Sequence, residues 1–164
     1  AGAWSKAVCL ALLTTAIDQR RAFHLVGFSG YRSAASWHEA INHEFHCDAG
    51  APPPVEDVCT ALLRGSYGGT SFNAPLRRAL EVLRTTPTMR QADVILITDG
   101  EATIAPEVQQ EFVAMRQTEG VQLYGVLVGA DATGDSLRPL ATALWHVSPQ
   151  LDGATVAPLL AQVS

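Results

Sequence analysis

The sequence predicts a doubly wound α/β fold with a mainly parallel sheet flanked by helices. Three short apolar runs, rich in β-branched or aromatic residues, are typical of buried strands: Phe23–Phe28, Val94–Thr98 and Leu123–Val128. Their side chains are almost continuously apolar, which indicates that helices cover both faces of the sheet. Helical patterns separate the runs, and this alternation of strands and helices favours the doubly wound arrangement.

Six helices are predicted from apolar periodicity and from the residues that begin and end each pattern. Trp4–Ile17 is apolar almost all round, which indicates a deeply buried helix. The other five are Val55–Leu63, Ala74–Leu83, Pro106–Thr118, Leu137–Leu144 and Thr155–Val163.

Two further segments complete the chain. Trp145–Ser148 is short and apolar enough to form a fourth strand near one edge of the sheet. Gly30–Pro54 has no clear period, and three alternatives stay open for it: an edge strand, a helix around Ser36–Phe45, or a long surface loop.

The order of the elements also predicts a strand before the first helix. A doubly wound domain places a strand there, and right-handed crossovers put that strand at the centre of the sheet. A sheet without it would have two unpaired edges and a groove in its core. We therefore expect this first central strand to precede Ala1, so that residues 1–164 form a single domain that is incomplete at its N-terminus.

Composition narrows the class of protein. The chain has 164 residues, of which 48% are hydrophobic and 16% charged, as expected for one folded domain. The net charge of −5 gives no general attraction to nucleic acid or to an anionic membrane. No apolar run reaches the roughly 20 residues that span a bilayer. Three irregularly spaced cysteines favour reduced thiols in a cytoplasmic protein, although one disulfide with one free thiol stays open.

Two motifs carry the functional prediction. Tyr67–Phe72 is a glycine-rich loop that leads into a helix, and Asp93–Glu101 is an apolar strand that ends in Asp-Gly. In a doubly wound sheet, ligands collect at the carboxyl ends of strands, beside helix N-termini. The hydroxyl of Thr70 and the carboxylate of Asp99 are therefore candidate metal ligands. Both are oxygen donors, which suit Mg²⁺.

These motifs resemble part of the metal-ion-dependent adhesion site of von Willebrand factor A (VWA) domains. Gly68-Gly69-Thr70 is similar to the second motif of that site, and Thr98-Asp99-Gly100 to the third. The helical run from Ala3 and the segment Leu25–Ser29 also resemble cytoplasmic bacterial VWA proteins of the ViaA and CoxE-like kind.

The resemblance implies a non-enzymatic protein-interaction module. Thr70 would bind Mg²⁺ through its hydroxyl, and Asp99 directly or through water. An open position on the metal would accept an acidic residue of a partner, and the family implies a MoxR-type AAA+ ATPase as that partner. The Asp-x-Ser-x-Ser motif of the family matches nothing in residues 1–164. We therefore expect the intact domain to bind Mg²⁺, and this chain to bind it weakly or not at all.

Two other functions remain as alternatives. A metal-dependent hydrolase or phosphatase would use Asp99 as a catalytic carboxylate, because one α/β architecture hosts many chemistries. A VWA-like domain that has lost its metal would serve purely as a scaffold.

Several polar residues near the motifs have simpler interpretations. Ser29 is expected to end its strand, Glu101 to be a solvated loop acid, and Asp131 and Asp135 to cap the next helix. A separate set of histidines and cysteines has side chains that can bind zinc, but their spacing matches no closed structural zinc site. We therefore expect scattered surface histidines and half-buried thiols. The set consists of His38, His43, His46, Cys47 and Cys59.

Overall fold

A computed structural model describes residues 2–30, 36–64, 70–129 and 131–147 and shows a mixed α/β fold. Its helices are α1 (Gly2–Asp18), α2 (Val55–Leu63), α3 (Asn73–Thr85) and α4 (Pro106–Glu119). Its strands are β1 (Phe23–Phe28), β2 (Ile41–Cys47), β3 (Val94–Thr98), β4 (Leu123–Val128) and β5 (Ala143–Val147). Short 3₁₀ turns occupy Trp37–Ala40 and Pro87–Met89. The three strands predicted first have the observed bounds.

Three strands form a parallel sheet in the order β3-β4-β5. β4 is central, and all six of its residues are buried. Leu123 and Leu127 belong to a core with α3 and α4. Val126 and Val128 instead pack against Trp4, Val8 and Leu12 of α1. Helices therefore cover both faces, which explains why the strand sequences are continuously apolar.

The other two strands form an antiparallel pair. β1 and β2 align from Phe23 opposite Cys47 to Phe28 opposite Ile41, with an irregularity between Gly27 and Phe28. Of the three alternatives for Gly30–Pro54, the edge strand is therefore correct for its central part. In place of the helix considered around Ser36–Phe45, the structure has a short 3₁₀ turn, Trp37–Ala40, before β2.

The predicted helix Leu137–Leu144 is wrong. Two successive turns form instead, in which Arg138 donates its backbone N–H to Gly134 O at 2.9 Å and Ala141 donates to Leu137 O at 2.8 Å. The chain then enters β5, where Ala143 and Leu144 lie opposite Tyr124 and Gly125 of β4. Pairing with a buried neighbouring strand outweighs the local helical pattern. The predicted helix Thr155–Val163 lies outside the described residues.

Helix α1 is less uniformly buried than its composition predicts. Trp4, Val8, Leu12 and Leu13 are buried, whereas Leu10 is 44% exposed. Several other α1 side chains line a cavity of about 1030 Å³.

This cavity separates the two sheets. β1 pairs with β2 and β3 pairs with β4, and no ladder joins β1 to β3 in the described residues. Residues 22–29 and 92–99 all line the cavity, together with parts of α1 and α3. The groove expected between two unpaired edges is therefore present, and it lies beside β1 and β3.

Candidate functional site

Thr70 and the loop after β3 lie next to each other. Asp99 and Gly100 follow directly on Thr98, the last residue of β3, while Thr70 lies three residues before the start of α3. A Cβ atom built on Gly100 would lie 2.9 Å from Thr70 Oγ1. The fold thus brings Thr70 beside the third motif at the carboxyl end of β3, where the sequence predicted a site; Tyr67, Gly68 and Gly69 lie outside the described residues.

Thr98 fixes the turn that carries Asp99. Its hydroxyl accepts a hydrogen bond from Gly100 N at 3.2 Å, and it also lies 3.2 Å from Gly100 O, to which it can donate. Thr98 is 5% exposed, so this local bonding is protected from water. In the sequence, Thr98 is recognisable only as part of the motif, because its role in holding the turn depends on the folded loop.

Asn73 joins the two loops from the other side. Its side-chain oxygen accepts a hydrogen bond from Ala105 N at 2.7 Å, which ties the segment after β3 to the start of α3. Phe72 is fully buried beside it. These contacts hold Thr70 and Asp99 on elements that are anchored in the core, which favours a fixed geometry.

In the part of the chain that the structure describes, the side-chain oxygens of the two candidate ligands are free to bind a metal. Asp99 is exposed and Thr70 half-buried. Neither side chain has a hydrogen-bond or ion-pair partner within the described residues. Two free oxygen donors at one loop edge fit a hard cation such as Mg²⁺, but a filled coordination shell needs more ligands. Among the residues that the structure describes, no three His, Cys, Asp or Glu side chains converge on a metal position.

Glu101 is exposed, as expected of a solvated loop acid, but its carboxylate also has partners. Its carboxylate accepts hydrogen bonds from Gly134 N and, at 2.8 Å, from the Ser136 hydroxyl. Burial acts to raise the pKa of Glu101, but these hydrogen bonds outweigh it and hold the pKa below 4.5. Glu101 therefore connects the loop after β3 to the loop after β4.

The two aspartates after β4 do not cap a helix, because none forms there. Asp131 is exposed, and Asp135 accepts a hydrogen bond from the Thr133 hydroxyl at 3.0 Å. Ser29 follows the last residue of β1, as expected, and its hydroxyl lies 3.2 Å from Asn42 Oδ1.

The histidines are less scattered than expected. His24 and His46 lie opposite each other on β1 and β2, with their Nδ1 atoms 3.2 Å apart. The sequence alone does not single out His24, because its pairing with His46 depends on the strand register. His38 is exposed and stacks on Trp37 at a centroid distance of 3.7 Å.

The three thiols are unpaired and differ in exposure. Cys47 is buried, Cys59 is exposed, and Cys9 lies between these extremes. Burial raises the pKa of Cys9 to about 11, so this thiol is a poor nucleophile at neutral pH.

Comparison with known proteins identifies the architecture. A scan against protein families finds no match. A solved von Willebrand factor type A structure from Catenulispora acidiphila superposes over 96% of this chain, with a TM-score of 0.57 and 20% identity. The chain has a VWA-like fold.

The sequence comparison adds a distant relative. An uncharacterized protein of Methanocaldococcus jannaschii is 26% identical over 127 residues, or 76% of this chain. The VWA-like chain spans 26% of that protein and 37% of the solved structure. Both matched proteins are therefore much longer than this domain.

No described helix of the VWA-like fold is long and apolar enough to cross a membrane.

Proposed function

We propose that this domain is a Mg²⁺-dependent protein-interaction module in which Thr70 and Asp99 supply metal ligands. The observation that supports it is the contact of Thr70 with the third motif: Thr70 Oγ1 lies 2.9 Å from the position of a Cβ on Gly100, beside Asp99. Both side chains offer oxygens without a partner in the described residues. Mg²⁺ prefers such ligands, and it retains positions for water or an incoming carboxylate.

The remaining ligands come, in this proposal, from a strand that fills the cavity between β1 and β3. A typical strand has ~5–6 residues, and the cavity is lined along the length of both neighbouring strands. A strand there would pair with both open edges and carry an Asp-x-Ser-x-Ser segment to the loop edge beside Thr70. A longer protein that carries such a strand before Ala1 would complete the sheet and the metal site together.

The partner in this proposal presents an Asp or Glu to the metal. Such binding needs no nucleophile or general base, only an open coordination position. The resemblance to ViaA and CoxE-like proteins supports a MoxR-type AAA+ ATPase as this partner, with the domain as its accessory.

The test is a Mg²⁺ titration of the longer protein and of its Thr70→Ala and Asp99→Ala variants, with capture of a MoxR-type ATPase as a second readout. We expect each variant to lose Mg²⁺ affinity by at least about tenfold, because each removes a ligand of a cation that is costly to dehydrate. Capture should require Mg²⁺ and be abolished by EDTA.

Matched controls are Thr118→Ala and Asp57→Ala, which remove the same groups from the exposed faces of α4 and α2. They should bind Mg²⁺ and partner as the unmodified protein does. EDTA-insensitive capture by all variants would leave a metal-free scaffold as the explanation. Intact Mg²⁺ binding without capture of the ATPase would reject the partner and keep the metal site.

A further inference from the structure

The turn that carries Asp99 is tied at its far end to a second loop through Glu101. One carboxylate oxygen of Glu101 accepts a hydrogen bond from Gly134 N, and the other accepts one from the Ser136 hydroxyl at 2.8 Å. Both donors lie in the loop after β4, the strand next to β3 in the parallel sheet. The carboxylate therefore joins two loops that leave neighbouring strands at the same edge.

The loop after β4 is a firm anchor, because its centre packs into the core. Gly134 is buried, and a Cβ there would lie 2.6 Å from Leu127 Cδ1 of β4. The carbonyl of Gly134 accepts hydrogen bonds from Leu137 N at 3.1 Å and Arg138 N at 2.9 Å. Ala132 and Leu137 on either side are 1% and 0% exposed. A side chain bonded to Gly134 N is thus attached to close-packed core, which moves little.

The Asp99 turn needs such an anchor, because Asp99 itself is exposed. Thr98 holds the start of the turn through the bond from Gly100 N to its hydroxyl, and Gly100 contacts Thr70. Without Glu101, the end of the turn would lose its contacts with the loop after β4. Asp99 could then move relative to Thr70, whereas metal ligands must be held within about 0.5 Å of their working geometry.

We propose that Glu101 is a positioning residue that holds Asp99 beside Thr70 by clamping the turn to the loop after β4. This inference rests on the proposed metal site and adds to it a residue that does not touch the ion. Both carboxylate oxygens of Glu101 already have donors, and direct binding of Mg²⁺ would break those bonds. The link also makes residues 131–136 respond to the metal, since coupling between two sites is reciprocal.

Two substitutions at Glu101 separate position from charge. Glutamine can accept the Gly134 N–H through its side-chain oxygen and donate to the Ser136 hydroxyl, which accepts as well as donates. Alanine removes both contacts. In a Mg²⁺ titration of the longer protein, Glu101→Gln should bind nearly as tightly as the unmodified protein. Glu101→Ala should lose about tenfold in affinity, as happens when residues that orient metal ligands are removed. Equal losses would show that Glu101 acts through its charge and would overturn the positioning role.

The clamp can also be tested without metal, in the 164-residue chain. We expect Ser136→Ala to shift the ¹H–¹⁵N amide signals of Asp99 and Gly100, although Ser136 follows β4 and these residues follow β3. Glu101→Ala should in turn shift the amide signal of Gly134. Signals that stay in place in both variants would contradict the clamp.

Glu107→Ala is the matched control, because it removes the same side chain from the exposed first turn of α4. It should change neither the Mg²⁺ affinity nor these amide signals, and circular dichroism checks that every variant folds. If Thr70→Ala and Asp99→Ala bind Mg²⁺ normally, the metal site fails, and the role of Glu101 fails with it. If both bind weakly while Glu101→Ala binds normally, the metal site stands and the positioning role alone is overturned.

Discussion

Single atoms decide the geometry at the carboxyl end of β3. Gly100 has no side chain, and this allows the Thr70 hydroxyl to lie against its backbone. Thr98 fixes Gly100 through its hydroxyl, and Asn73 fixes the following segment through Ala105. The site thus depends on small residues whose contacts are local and short, and a change of one methyl group should be measurable.

Gly100→Ala is the most direct test at this scale. The added Cβ would lie 2.9 Å from Thr70 Oγ1, closer than real contacts allow, so the Thr70 hydroxyl must move. We expect weaker Mg²⁺ binding by the longer protein, with a small loss of thermal stability. Gly50→Ala is the control for Mg²⁺ affinity alone: a Cβ at Gly50 meets nothing within 4 Å, but its φ of 74° strains the backbone and lowers stability by itself. A Mg²⁺ affinity equal to that of the unmodified protein would show that Thr70 does not bind the ion.

Glu44 should contribute stability that depends on pH. The hydrogen bond from Arg78 is the main reason that the pKa of Glu44 is lowered from 4.5. A lowered folded-state pKa means that this stability is present above pH 4.5 and is lost as pH falls through the folded value. Glu44→Gln should lower the free energy of unfolding by about 1–3 kcal/mol at neutral pH. The difference should shrink in acid.

Urea unfolding at a series of pH values measures this effect. Glu81→Gln serves as the comparison, because it removes only an i,i+3 pair with Arg78 in which Glu81 is 42% exposed. That change should cost roughly 0–1 kcal/mol. Equal losses from the two variants would show that the Arg78–Glu44 contact is no stronger than a surface ion pair.

At the scale of elements, two glycines with similar backbone conformations should differ in importance. Gly120 ends α4 with φ of 72°, and a Cβ there would meet nothing within 4 Å. Gly134 lies in the loop after β4 with φ of 75°, and its Cβ would lie 2.6 Å from Leu127 Cδ1. Leu127 is fully buried in β4, so it has little room to move.

Alanine at each position separates backbone strain from packing. Gly120→Ala should cost about 1 kcal/mol, since only the left-handed backbone is strained. Gly134→Ala should cost roughly 1–3 kcal/mol more, because it also overpacks the core against Leu127. Chemical denaturation gives both values. If the two variants were equally stable, the contact between Gly134 and β4 would not be part of the folded core.

At the scale of the whole molecule, the cavity between β1 and β3 divides the sheet into two parts. α1 packs against both parts, through Leu12 on the β4 side and Leu13 on the β1–β2 side. α3 also lines the cavity from the opposite face. The helices thus hold the two sheets in place without a strand between them, and the backbone edges of β1 and β3 stay available for pairing.

Amide hydrogen exchange should report this division. In the 164-residue chain, amides of β1 and β3 that face the cavity should exchange faster than those of β4, which is paired on both sides. In the longer protein, a strand in the cavity should slow exchange in β1 and β3 and leave β4 unchanged. Equal exchange of β1 and β3 in both forms would contradict strand insertion.

The sequence by itself determined the fold class, the bounds of β1, β3 and β4, and the place of the two motifs, because buried parallel strands have a strong apolar signature. It also predicted a groove in the core, because a doubly wound sheet without a strand before α1 has two unpaired edges. Only the tertiary structure decided that residues 137–144 turn into β5, that Glu101 binds the loop after β4, and that His24 faces His46. These features depend on pairing between distant segments, and local sequence patterns do not encode that register.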